Sequence, residues 1–176
     1  MTHRLILALF AVLLLAACSA VPPPQELAGA GGPSPQAIVE SFLEDLNRAL
    51  ADPNLAKPET RQVWAERLAG HFAPSERADQ RAALAVMLDG FATSIANPIS
   101  GSKASLQIAY SGTELIEQQD ERALVRVVDG VFTLRFFDDQ GEMLRERTGG
   151  LTGVLGQANG GLPTLQVAGS WFMTEG

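Results

Sequence analysis

Apolar positions follow three rhythms along this chain. They form an unbroken run over 5–15, recur every three or four residues from Ser34 to Ile95, and alternate from Leu106 onward. The middle stretch predicts three helices. Ser34 ahead of Pro35 suits a helix start, because a serine hydroxyl can accept from a free amide and proline fits the first helical position. Ile38, Val39, Phe42, Leu46 and Leu50 then share one stripe, and Asp52-Pro53-Asn54 stops the helix. A second helix is expected over 58–72, with Val63, Trp64, Leu68 and Phe72 inward. A third is expected over 76–96, with Leu84, Met87, Leu88, Phe91 and Ile95 on its apolar face.

The alternating part predicts strands. Leu106, Ile108 and Tyr110 alternate with Gln107, Ala109 and Ser111, and 114–117 continue that strand after a kink at Gly112. The chain turns at 118–120. Segments 122–128 and 131–137 flank Asp129-Gly130, the sequence expected of a type I′ hairpin. That turn would place Ala123, Val125, Val127, Phe132, Leu134 and Phe136 on one apolar face, with Arg122, Arg126, Thr133 and Arg135 on the other. The next turn, Asp139-Gln140-Gly141, would set Phe136 opposite Leu144 and Leu134 opposite Glu146, sending Arg145 and Arg147 to the polar face. Segments 151–155 and 162–173 read as a last pair. The expected fold class is α+β, with three N-terminal helices packed on a curved antiparallel sheet of five to six strands.

The apolar run 5–15 follows Thr2-His3-Arg4 and ends in Leu15-Ala16-Ala17-Cys18. It has the length of a signal-peptide core and is shorter than the roughly 20 residues of a spanning helix. The four closing residues resemble the lipobox of bacterial lipoproteins. The resemblance implies cleavage before Cys18, lipidation of its thiol, and a chain held outside the cytoplasm on the cell membrane or the outer membrane. A plain secretory peptide cut after Ala17 or Ala20, or an uncleaved anchor, is the alternative. The expected division is a signal peptide over 1–17, lipidated Cys18 and a Pro/Gly-rich linker over 18–33, and one domain over 34–176.

Charge narrows the partners. The chain has 13 Lys and Arg against 20 Asp and Glu, a net of −7. That balance argues against nucleic acid and against electrostatic docking on anionic lipid. Apolar content of 46% supports a real core. Cys18 is the sole cysteine, so no disulfide can form within the chain.

Helices first, then long strands, and a closing Val167-Ala168-Gly169-Ser170-Trp171-Phe172 segment resemble the nuclear-transport-factor-2-like cone fold, which includes ketosteroid isomerase and many small envelope lipoproteins. The kinked strand, the Gln118-Gln119-Asp120-Glu121 turn and the Ala123-Leu124-Val125-Arg126 return look most like the lipoprotein branch. The resemblance covers roughly 35–176 and rests on topology and the closing Trp. It implies a cavity between helices and sheet, used in that family by isomerases, dehydratases, ligand binders and interaction modules alike.

Specific chemistry is sparse. With His3 in the leader, His71 is the one histidine of the domain, so neither a His-based zinc site nor a nucleophilic triad is expected. Near a helix end, His71 is expected to cap carbonyls. Asp138-Asp139-Gln140-Gly141-Glu142 lacks calcium-loop spacing and reads as a turn. On the expected register Glu146 is the one charge on the apolar face; in a dry cavity it could act as acid or base, and at the mouth it would sit in water. Tyr110 could join it or simply pack. The candidate ligand pocket is therefore Trp64, Tyr110, Phe132, Leu134, Glu146 and Trp171. Arg126, Arg135, Arg145 and Arg147 form a basic stripe that suits a partner or a homodimer, or an ordinary wetted face.

The expected function is a non-catalytic, membrane-anchored module that binds a small apolar ligand or a protein, with no cofactor and no metal. Two alternatives stay open: an accessory subunit of an envelope assembly acting through the sheet face, and a lyase or isomerase using Glu146 or Tyr110.

Overall fold

The computed structural model describes residues 31–96, 103–151 and 161–176. The expected leader, Cys18 and most of the linker lie outside these residues, as does nearly all of the strand expected over 151–155.

Three helices precede seven strands: α1 (Pro35–Leu50), α2 (Pro58–Ala69), α3 (Arg77–Ala96), β1 (Lys103–Ala109), β2 (Gly112–Gln119), β3 (Arg122–Val128), β4 (Val131–Phe137), β5 (Met143–Gly150), β6 (Gly161–Val167) and β7 (Ser170–Met173). The class is α+β, but the strands form two antiparallel sheets, ordered β1-β4-β5 and β2-β3-β6-β7, in place of one sheet of five to six.

Ser34 caps α1, its hydroxyl accepting from the Ala37 amide at 3.1 Å. The whole predicted stripe of α1 is buried. This helix packs on α2 and on β1, β2, β3, β6 and β7, which makes it the centre of the core. The second helix ends at Ala69, and Val63 points away from the core, 67% exposed. In α3, Leu84 and Leu88 are buried as expected, whereas Met87 is exposed. Pairing starts ahead of Ser34: Gly32 and Trp171 exchange both backbone hydrogen bonds, at 2.7 and 2.9 Å.

Asp129-Gly130 does not make a hairpin. β3 pairs with β2 and β6, while β4 pairs with β1 and β5. Chain 103–115 runs against chain 125–137 in one register, from Lys103↔Phe137 through Ala109↔Val131 and Gly112↔Val128 to Leu115↔Val125. The two sheets are thus arms of a bent ribbon, with the corner at 110–111 and 129–130. Asp129 has φ +52°, and its carboxylate accepts from the Ser111 hydroxyl at 2.7 Å across the corner. Asp129 does take the left-handed conformation, but it turns the strand onto a new sheet where a second positive φ, at Gly130, would have reversed it. The side-chain alternation slips by one at the corner. For that reason Val125 and Phe132 still share the inner face, as the hairpin reading required.

A two-residue type I′ hairpin does occur, at Ala168-Gly169 between β6 and β7, where φ is +51° and +86° and Val167 pairs with Ser170.

Between β4 and β5 the expected register holds at Phe137↔Met143 and fails one step later. A bulge at Phe136/Phe137 sets Phe136 opposite Arg145, Leu134 opposite Arg147 and Arg135 opposite Glu146. The turn helps to impose this. The Asp138 carboxylate accepts from the amides of Gln140 and Glu142, and Asp138 N–H donates to Glu142 O, closing a longer loop than expected. Arg145 and Arg147 therefore lie on the inner face, and Glu146 on the outer one. The slip is tolerated because β5 is the outermost strand of its sheet and is exposed along almost its whole length.

Candidate functional site

The inner face differs between the two arms. On the four-stranded sheet Ala123, Val125 and Leu162 are buried against the helices. On the three-stranded sheet Ile108 is buried and Leu106 packs against the core, but Phe132, Leu134 and Phe136 are only half-buried. Gly149 sits opposite Phe132, and a Cβ there would come within 2.5 Å of the Phe132 ring, so the ring lies over bare backbone. Arg145 and Arg147, both exposed, flank this apolar strip on the edge strand.

The residues expected to form one pocket are dispersed. Phe132 and Leu134 share the inner strip. Trp64 lies on α2, donating to Asp52 Oδ2 at 2.7 Å with Arg67 stacked 5.6 Å over its ring. Trp171 is buried on β7. Tyr110 sits at the ribbon corner beside α1, its pKa raised by burial and by the charges of Glu40 and Glu44. Glu146 is outside, bonded to Arg135 Nε at 2.7 Å. The basic stripe is likewise divided. Arg126 pairs with Glu114 and Arg135 with Glu146 and Gln107 on the outer face, while Arg145 and Arg147 lie on the inner one. Arg135 stands opposite Glu146, a carboxylate, on this outer face.

A second cluster was not legible in the sequence. Asp45, on the inward side of α1, is buried, and it binds groups spread over the next 26 positions. Its Oδ2 accepts from Arg67 Nε at 2.8 Å and Oδ1 from Arg67 Nη2 at 2.9 Å, a two-pronged pair joining α1 to α2. Arg48 Nη1 adds a bond to Oδ1 at 3.1 Å, and His71 Nε2 lies 3.0 Å from Oδ2. Burial pushes the Asp45 carboxyl up, but the hydrogen bonds and charges of Arg67 and His71 outweigh it and hold its pKa below the usual value. For His71, burial dominates over the attraction of Asp45 and lowers its pKa. Above about pH 6.5 the imidazole is thus neutral, and its approach to the carboxylate places the proton on Nε2, donating to Asp45. Its Nδ1 is buried and has no partner. His71 does not cap carbonyls as expected; a buried aspartate a helix away outcompetes the helix end.

This cluster borders a half-open cleft of about 200 Å³, lined by Gly31, Ile38, Ser41, Glu44, Asp45, Arg48, Arg67 and His71. An Asp–His pair can serve as a proton relay when the free ring nitrogen faces a reacting group. Here that nitrogen is sealed, and the carboxylate already accepts from four donor atoms. The arrangement suits a clamp between helices better than a base. No group of three or more His, Cys, Asp or Glu that could hold a metal occurs among the described residues.

No protein-family model matches this chain, and no curated protein matches it.

Proposed function

We propose that this chain is a membrane-anchored, extracytoplasmic, non-catalytic binding module, with the lipid on Cys18 and the ligand seat on the inner face of the three-stranded sheet. The observation that carries the reading is the unequal cover of the bent ribbon. One arm is closed over by helices, and the other leaves Phe132, Leu134 and Phe136 half-buried in a row. An incompletely covered apolar strip beside a packed core offers contact area to a small apolar ligand. The catalytic alternative draws less support, since Glu146 is on the outer face bonded to Arg135 and Tyr110 stands apart at the corner. Docking through a basic outer face has lost its charge argument, since Arg126 and Arg135 are paired there.

Native mass spectrometry of the protein, purified gently from its own host, tests the reading. A retained apolar molecule, released by denaturation and absent from a Leu134→Asn variant of unchanged circular dichroism, is the expected result. A bare chain, or a molecule retained equally by the variant, would move the search to protein partners.

A further inference from the structure

We propose that the seat recognises a long-chain amphiphile with an oxyanion head, and that Arg145 and Arg147 hold the head. This rests on the ligand seat proposed above and names its ligand class.

The argument starts from a loss. With the bulge absent, the apolar pattern of β5 would lay Leu144 against Phe136. With it, Leu144 is 60% exposed and Met143 56%, while two arginines take the inner positions. A fold that gives up apolar burial for cations at such a place departs from its own local pattern, and such departures concentrate where a site is built.

Among the described residues the two arginines have no protein acceptor. Among the described residues Arg48, Arg61, Arg67, Arg81, Arg126 and Arg135 form ion pairs, whereas Arg122, Arg145 and Arg147 do not, and only the last two stand together on one strand face. They sit two positions apart on one face of one strand, roughly 7 Å along it, in a chain of net charge −7. Two fork-shaped guanidiniums at that spacing suit a carboxylate or phosphate.

The apolar half is adjacent. Phe136 stands opposite Arg145 and Leu134 opposite Arg147, and Phe132 continues the row above Gly149. From Phe136 to Phe132 the strip runs about 13 Å along β4, long enough for an acyl chain to lie with its head between the arginines. The acidic remainder of the surface disfavours an anionic bilayer as the occupant, so the ligand is a single amphiphile.

The test uses the full chain carrying Cys18→Ser, which no acyl group can modify. Palmitate and hexadecanol, alike in chain and different in head charge, are titrated against this protein and against its Arg145→Gln, Arg147→Gln and double variants. These positions are exposed, so melting temperatures should stay equal. The expected result is palmitate binding at least about tenfold tighter, the worth of a charge-assisted hydrogen bond. The double variant should erase that preference and leave hexadecanol unchanged, and added salt should weaken palmitate alone. Equal affinity for both probes, or a preference that survives in the double variant, would overturn head recognition and leave the seat standing. Failure of both probes to bind would remove the seat itself. Binding to phosphatidylglycerol vesicles with none to palmitate would assign the arginines to a bilayer surface and overturn the proposal.

Discussion

His71 Nε2 lies 3.0 Å from Asp45 Oδ2, joining the turn after α2 to the middle of α1 in the interior. The Asp45 carboxylate also takes both prongs of Arg67, so its removal leaves a buried imidazole and a half-buried guanidinium unsatisfied. Asp45→Ala is expected to cost about 3 kcal/mol, at the low end for a broken buried pair because Arg67 keeps some water. Urea unfolding checks it, with Glu44→Ala, on the exposed flank of the same helix, changing stability by less than about 0.5 kcal/mol.

The same pair sets a pH response. His71 has a folded-state pKa below its ordinary 6.5, so the unfolded chain binds the extra proton. Stability from this source is complete above about pH 6.5 and declines as the pH falls below it. Asp45, lowered from 3.8, adds a second decline in the same direction, beginning near pH 4. The urea midpoint between pH 8 and pH 4 should fall through the first window, and His71→Gln should flatten it.

Asn47 closes the free edge of β1. Its amide nitrogen donates to Ile108 O at 2.8 Å and its oxygen accepts from Ile108 N at 2.8 Å. Asn47→Ala is expected to cost about 2 kcal/mol by leaving two backbone groups unpaired. Asn47→Asp should cost more, since a carboxylate would face the Ile108 carbonyl. Thermal melts of both variants decide the order.

Ala168 carries φ +51° in the β6–β7 turn, a conformation glycine or asparagine adopts more readily. Ala168→Gly should therefore stabilise the fold by about 0.5–1 kcal/mol, raising the melting temperature. A fall would show that the alanine side chain contributes packing.

Gly31 has φ +65°, and a Cβ there would lie 2.7 Å from Phe172 Cζ and 2.8 Å from Ser170 Cβ. Gly31→Ala should cost about 1–3 kcal/mol and loosen the Gly32–Trp171 pairing. Tryptophan fluorescence and denaturant midpoint report both effects.

The helical part was legible because burial there follows a local period: Ile38, Val39, Phe42, Leu46 and Leu50 all point inward. Val63 and Met87 misled because helix periodicity names a stripe without saying how much of it is covered. The strands were legible as segments, and the inner face of β3 and β4 was assigned correctly, while that of β5 was reversed. Their partners were not, because a lone left-handed residue at Asp129 and a pair of them look alike in sequence. The register of β5 turned on the Asp138 carboxylate capturing two loop amides, which no alternation pattern encodes. The candidate strip was half visible, in Phe132 and Leu134. The Asp45 cluster was invisible, since its members lie on separate helices and only packing brings them together.

The corner of the ribbon is also a braced crease. Both strands that cross it change direction at neighbouring points, tied by the Ser111–Asp129 hydrogen bond. The ladders of both arms end on either side of that line. α1 holds both arms: it packs on β1 of one and on β2, β3, β6 and β7 of the other, and Asn47 ties it to Ile108. The angle between the arms is thereby braced from inside by one helix, and the tilt of the strip carrying Phe132 and Leu134 follows from where α1 lies as much as from the four corner positions 110, 111, 129 and 130.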